Sequence, residues 1–146
     1  MGWSIKCRDK NCCEETWARN IVELIEHHCD DMGWFRCAIC NNAGYIKKSF
    51  ELQEPGEVWE PHLRGVIRLS DEPNDTYQPF VFLVSGTPNE RPSAVWFSYY
   101  KDTRTLAGGR LKLGYGPGGP PVLEASKVAE LVDILEERGL IERGPR

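Results

Sequence analysis

No cysteine occurs after Cys40 in this chain of 146 residues, and only two methionines and three histidines occur anywhere. A disulfide framework running the length of the protein is therefore excluded. A basic excess is missing too, because 18 Lys plus Arg face 22 Asp plus Glu for a formal charge of -4. That balance excludes a histone-like or polybasic role on duplex nucleic acid. No run of about 18 apolar residues is present, so no membrane partner is expected. Trp3, Lys6, Arg8 and Asp9 stand where a secretory signal needs an apolar core, and Lys6 occupies the position where acylation after Met1-Gly2 requires Ser or Thr. A cytoplasmic protein is the resulting expectation. Packing groups are plentiful: hydrophobic residues make up 40%, with five Trp, which excludes a disordered chain and predicts a folded core.

All six cysteines, Cys7, Cys12, Cys13, Cys29, Cys37 and Cys40, fall in one short region. A reducing cytosol keeps such thiols free for metal or redox work. Cys7-Arg-Asp-Lys-Asn-Cys12 is C-x4-C and Cys37-Ala-Ile-Cys40 is C-x2-C. Each is a short loop able to aim two thiolates at one ion, and two such loops complete a tetrahedron. The expected metal ligands are Cys7, Cys12, Cys37 and Cys40. Two substitutions in that set stay open: Cys13 for Cys12, and Cys29, His27 or His28 for another ligand.

The flanks of the second loop read as strands. Trp34-Phe35-Arg36 leads in and Gly44 to Leu52 leads out, with Ile46, Lys48, Phe50 and Leu52 on one face. Asn41, Asn42 and Gly44 supply the turn positions of a tight knuckle. Phe35-Arg36-Cys37-Ala38-Ile39-Cys40, followed by Asn42, Gly44 and Tyr45, resembles the zinc-knuckle hairpin of the zinc-ribbon superfamily. The resemblance covers about residues 5–52, and it implies a structural zinc on Cys7, Cys12, Cys37 and Cys40. The segment between Cys12 and Cys37 departs from a plain ribbon. Trp17, Ile21, Leu24, Ile25 and His28 recur at helical spacing, with Glu14 and Glu15 at the start, His27 and His28 at the end, and Asp30, Asp31 and Gly33 as the stop. Extending that stripe backwards lands on Cys13, which is read as a buried small residue.

The composition shifts at residue 53. Residues 53–64 are acidic and interrupted by Pro and Gly, and read as a linker or loop. Strands are expected over 65–69, 80–84, 94–101 and 110–115, with 80–84 central because it is apolar on both faces. A helix is expected over 127–138, with Ser126 as N-cap and Gly139 at the C-cap side. The fold class is α+β: a zinc-ribbon-like region over 1–52 with an inserted helix, then a small, mostly antiparallel sheet and a C-terminal helix over 65–146, packed as one unit with the first or linked to it.

Other motifs yield less. The glycine-rich stretch 114–121 lacks a G-K-[ST] ending, and its prolines remove amide donors, so a flexible connection is favoured over phosphate binding. Glu54, Glu57, Glu60 and His62 read as solvated loop charge. Cys37-Ala38-Ile39-Cys40 has dithiol spacing but sits between strands rather than opening a helix, which favours zinc over redox turnover. The expected function is non-catalytic recognition of a protein partner. The contact surface would combine the metal hairpin, with Arg36, Lys47 and Lys48, and an aromatic strand with Tyr99, Tyr100, Arg110 and Lys112. Single-stranded nucleic-acid binding and a thiol- or metal-dependent enzyme are the alternatives.

Overall fold

A computed structural model describes residues 2–12, 14–51, 55–72, 75–114 and 122–142. Cys13, Leu52 and the glycine-rich residues 115–121 lie outside that set, as do the readings that fall on them. The first strands are β1 (Trp3–Cys7) and β2 (Glu15–Ala18), then helix α1 (Ile21–His27), β3 (Gly44–Lys47), and a small pair β4 (Phe50–Glu51) and β5 (Val58–Trp59). Next come β6 (His62–Arg68), β7 (Tyr77–Ser85), β8 (Ala94–Asp102), β9 (Leu111–Leu113) and helix α2 (Ala125–Glu137). Among the described residues this is a mostly antiparallel sheet with two helices, an α+β fold. The main sheet has the order β2-β1-β3-β6-β7-β8-β9. The chain divides into two compact units, 1–66 with 82–95, and 67–81 with 96–146.

In the first unit the expected helix begins too early. Residues 15–18 form β2, paired antiparallel with β1 from Trp3↔Ala18 to Lys6↔Glu15. Thr16 and Ala18 point inward while Glu15 and Trp17 point out, an alternation of period two. Asn20 is the physical reason that the helix waits until Ile21: its backbone is extended, and its side-chain oxygen accepts the Glu23 amide at 2.9 Å. Glu23 reaches back to accept the Arg19 amide, one residue before the cap, at 2.7 Å. Helix α1 then buries Ile21, Leu24 and Ile25.

The expected strand over 34–36 is reduced to single bridges, Cys29↔Phe35, Trp34↔Gly65 and Arg36↔Ala43. Close backbone approach fixes this segment on β6. Gly33 has φ +87°, and its carbonyl accepts the Val66 amide at 2.8 Å; a Cβ on Gly65 would stand only 2.5 Å from that carbonyl oxygen. Phe35 is fully buried, and Trp3 packs on Phe82 with ring centroids 5.7 Å apart. The outgoing strand also divides, into β3 and β4, and β4 pairs with β5 inside the acidic stretch. His62, read from sequence as solvated loop charge, is instead buried as the first residue of β6.

In the second unit, β7 and β8 contribute buried Phe80, Val81, Tyr99 and Tyr100. Across the whole of 80–84 every side chain is buried, as a central strand requires. Helix α2 starts after Glu124 rather than Ser126, and Glu124 makes no side-chain cap. Its other end is a Schellman turn: Gly139 at φ +67° donates to the Glu136 carbonyl, and Leu140 to that of Leu135, both at 2.9 Å. No helix among the described residues is long and apolar enough to cross a membrane.

Candidate metal centre

Two hairpin tips build the site. Cys7 ends β1, and the turn from residue 8 to residue 14 is closed by the Cys7 amide donating to the Glu14 carbonyl at 3.2 Å. Inside it, Asp9 accepts the Asn11 amide on its side chain at 2.9 Å and the Cys12 amide on its carbonyl at 3.1 Å. The second tip runs from Cys37 to Asn42, with the Asn41 amide donating to the Cys37 carbonyl at 2.9 Å and the Cys37 amide to the Asn42 carbonyl at 2.8 Å. Asn41 takes φ +61°, the left-handed conformation that the sequence assigned to this turn.

The pairing Cys7↔Gly44 and Lys6↔Tyr45 between β1 and β3 sets the tips side by side. Gly44 is required there, since a Cβ would meet Ile5 Cγ2 at 2.5 Å. Cross-links hold the arrangement: Asn42 Nδ2 donates to Asp9 Oδ2 at 3.0 Å, the Arg8 amide to the Ala43 carbonyl at 3.0 Å, and the Ala38 amide to Thr16 Oγ1 at 3.2 Å. Behind the second tip, Asp30 accepts from Arg36 Nε and Nη2 at 2.9 and 2.8 Å and from the Met32 and Trp34 amides. These bonds hold the Asp30 carboxyl below its ordinary range although burial opposes them.

The result brings the Sγ atoms of Cys7, Cys12, Cys37 and Cys40 within 4.8 Å of one another. Cys7 and Cys40 stand 3.4 Å apart, and Cys12 and Cys37 3.7 Å. A tetrahedral ion with bonds of about 2.3 Å to sulfur needs thiolates about 3.8 Å apart, so these four residues can hold a metal ion. Cys29 is elsewhere: its thiol donates to the Leu24 carbonyl at 3.5 Å, and neither it nor His27 or His28 joins the group.

Backbone amides already point at the sulfur atoms. The Asp9 amide donates to Cys7 Sγ and the Ile39 amide to Cys37 Sγ, each at 3.4 Å and each two residues downstream of its cysteine. Burial pushes the Cys37 thiol up, but the Cys40 and Ile39 amides outweigh it and bring the thiol down to about 7. For Cys7 burial wins over the Asp9 amide, and with the thiols of Cys40, Cys12 and Cys37 beside it the group is pushed up to about 12. The Glu14 amide pulls Cys12 down, but burial and the Cys40 and Cys37 thiols together outweigh it, so this group is raised as well. Four thiols this close resist ionising together. A soft cation at their centre relieves that conflict, since thiolate is the metal-binding form.

Tyr99 and Tyr100, which the sequence placed on a contact surface, are buried instead. Lys47 is ion-paired with Glu60 at 2.9 Å, and Lys48 lies over the Trp3 ring, 4.2 Å from its centroid. An exposed apolar group occurs instead at the second tip, Ile39, 71% exposed; Trp17, 63% exposed, lies on the outer face of β2 opposite Ser4 and against Gly2, at the end of β1 away from Cys7. Sequence periodicity hid Trp17 by assigning it to a helix; its position two residues beyond Glu15 in an alternating tetrapeptide is the signal that would have found it. Comparison of the chain with protein-family models, with curated proteins and with solved structures finds no match.

Proposed function

We propose that Cys7, Cys12, Cys37 and Cys40 bind one zinc ion as a closed structural site in a ribbon-like N-terminal region, and that the protein is a non-catalytic recognition module. The observation carrying this reading is the convergence of four sulfur atoms from two hairpin tips within 4.8 Å. Four thiolates favour zinc's tetrahedral geometry and leave no position for a reacting water, which separates a structural site from a hydrolytic one. The amides aimed at Cys7 and Cys37 stabilise the negative charge that a four-thiolate site accumulates.

Recognition is supported by the rigidity such a cross-link gives to two short hairpins and by the exposed Ile39 between Cys37 and Cys40. A protein partner fits this apolar tip better than a nucleic acid does. Elemental analysis of protein purified under reducing conditions should find about one zinc per chain. Loss of that zinc in Cys7→Ser and Cys40→Ser variants supports the assignment, whereas zinc-free wild-type protein refutes it. Fluorescence anisotropy with single-stranded DNA and RNA across a salt series tests the choice of partner: tight, salt-sensitive binding would replace the protein-partner reading with the nucleic-acid one.

A further inference from the structure

Arg64 is 6% exposed, and among the described residues no carboxylate forms an ion pair with it. A buried cation without a counter-charge is costly, so its surroundings carry information. Arg64 lies two residues along β6 from His62 and therefore on the same face. The His62 ring sits 5.5 Å from that of Tyr45, and Lys47 opposes His62 in the β3–β6 pairing.

Hydrogen bonds from Arg64, Arg8 and His62 go to one loop. Arg64 Nη1 donates to the Glu90 carbonyl and, at 3.4 Å, to Ser85 Oγ. Arg8, carried on the first cysteine tip, sends Nη2 to Asn89 Oδ1 at 3.4 Å, and the His62 ring hydrogen-bonds the Gly86 backbone. Arg8 Nε, Arg64 Nε and His62 Nδ1 are buried and, among the described residues, have no hydrogen-bond partner. The nearby acids do not serve them. Glu60 is engaged by Lys47, and Glu90 gives Arg64 its backbone carbonyl while its carboxylate lies against Gly86. Burial, then the adjacent Arg8 charge, pulls the Arg64 guanidinium down.

We propose that Arg8, Arg64 and His62 form a binding site for a small phosphate-class oxyanion beneath the loop at residues 85–90. A tetrahedral oxyanion offers several acceptor oxygens to guanidinium groups whose planar forks suit them, and it supplies the negative charge that the cluster lacks. The burial of Arg64 restricts the occupant to a free ion or a small phosphomonoester; a polymer backbone is too bulky to reach its guanidinium. Arg64 and His62 stand on β6, and Arg8 is the one residue this site shares with the cysteine tip.

The test is amide-resolved NMR of the full chain titrated with inorganic phosphate at constant ionic strength, with chloride as the balancing anion. Saturable shifts at Gly86, Asn89 and Glu90, with millimolar or tighter dissociation constants, are expected. Arg8→Gln should weaken binding at least about tenfold while the remaining spectrum stays that of the folded protein. Arg64→Lys keeps the charge but removes the fork and should also weaken it, and Arg19→Gln, an exposed arginine engaged with Glu23, should change nothing. Glycerol phosphate binding more tightly than inorganic phosphate identifies an ester as the occupant; the reverse order identifies the free ion. Non-saturating shifts, unchanged affinity in Arg8→Gln, or shifts at these amides with a single-stranded oligonucleotide but not with phosphate would overturn the proposal. Zinc content is measured on the same samples, so failure of this site and failure of the metal site remain separate results.

Discussion

Gly44→Ala should damage the metal centre without touching a sulfur atom. The added Cβ would lie 2.5 Å from Ile5 Cγ2 and 3.2 Å from the Lys6 carbonyl oxygen. Carbon atoms pack best at about 3.5–4.0 Å, so β1 and β3 must separate by about 1 Å or distort. Ile5 cannot swing away, since it is 1% exposed in the core. Overpacking of this kind costs about 1–3 kcal/mol. Because Gly44 is the direct partner of Cys7 across the two strands, relief by separation moves Cys7 away from Cys37 and Cys40. Metal sites tolerate ligand errors of only about 0.2 Å, so zinc affinity should fall by about tenfold to a hundredfold. Competition against a chromophoric chelator measures the affinity, and thermal unfolding with and without added zinc measures the strain. Gly2→Ala is the control, because its new Cβ would meet the Ala18 carbonyl oxygen at an ordinary 3.4 Å. Wild-type zinc affinity and an unchanged melting temperature in Gly44→Ala would refute the reasoning.

Cys29→Ser should retain full zinc content, since its thiol faces the Leu24 carbonyl and not the other sulfur atoms; loss of zinc by elemental analysis would reassign a ligand. Of the adjacent pair, Cys12→Ser should lose the metal and Cys13→Ser keep it, read out by the absorption of a cobalt-substituted sample. Asp30→Asn should destabilise the protein by about 1–3 kcal/mol, because the carboxylate serves both Arg36 and two amides. Its folded pKa lies below the ordinary 3.8, so that contribution is fully present above about pH 5 and is lost as pH falls through the folded value; wild-type and variant stabilities measured by urea unfolding should converge in acid. Zinc-loaded protein should show no dithiol turnover in an insulin-reduction assay, because closed-site thiolates are held as ligands; rapid turnover requiring both Cys37 and Cys40 would favour the enzyme alternative.

The cysteine grouping was legible because short loops force C-x4-C and C-x2-C pairs to point together, whatever the fold around them. The central strand over 80–84 was legible for a similar reason, its apolar run being too short for a buried helix and too continuous for an edge. Residues 15–18 were misread because Trp17, Ile21 and Leu24 fall at helical spacing by coincidence, and the cap that decides the matter, Asn20, is one residue inside the pattern. The bridges at 34–36 depend on Gly33 and Gly65 meeting across the sheet, a contact between backbones that no hydrophobic pattern encodes. The convergence of Arg8, His62 and Arg64 on residues 85–90 was invisible for the same reason. Its members come from three separated stretches of chain and are joined only by strand register.

The measurement that tests the central claim most directly is X-ray absorption at the zinc edge on reduced, metal-replete protein. The account predicts one zinc per chain with a single shell of four sulfur ligands at about 2.3 Å and no oxygen or nitrogen scatterer in the first shell. A shell of three or fewer sulfur atoms completed by a lighter ligand would contradict the closed structural site and open the position that catalysis requires.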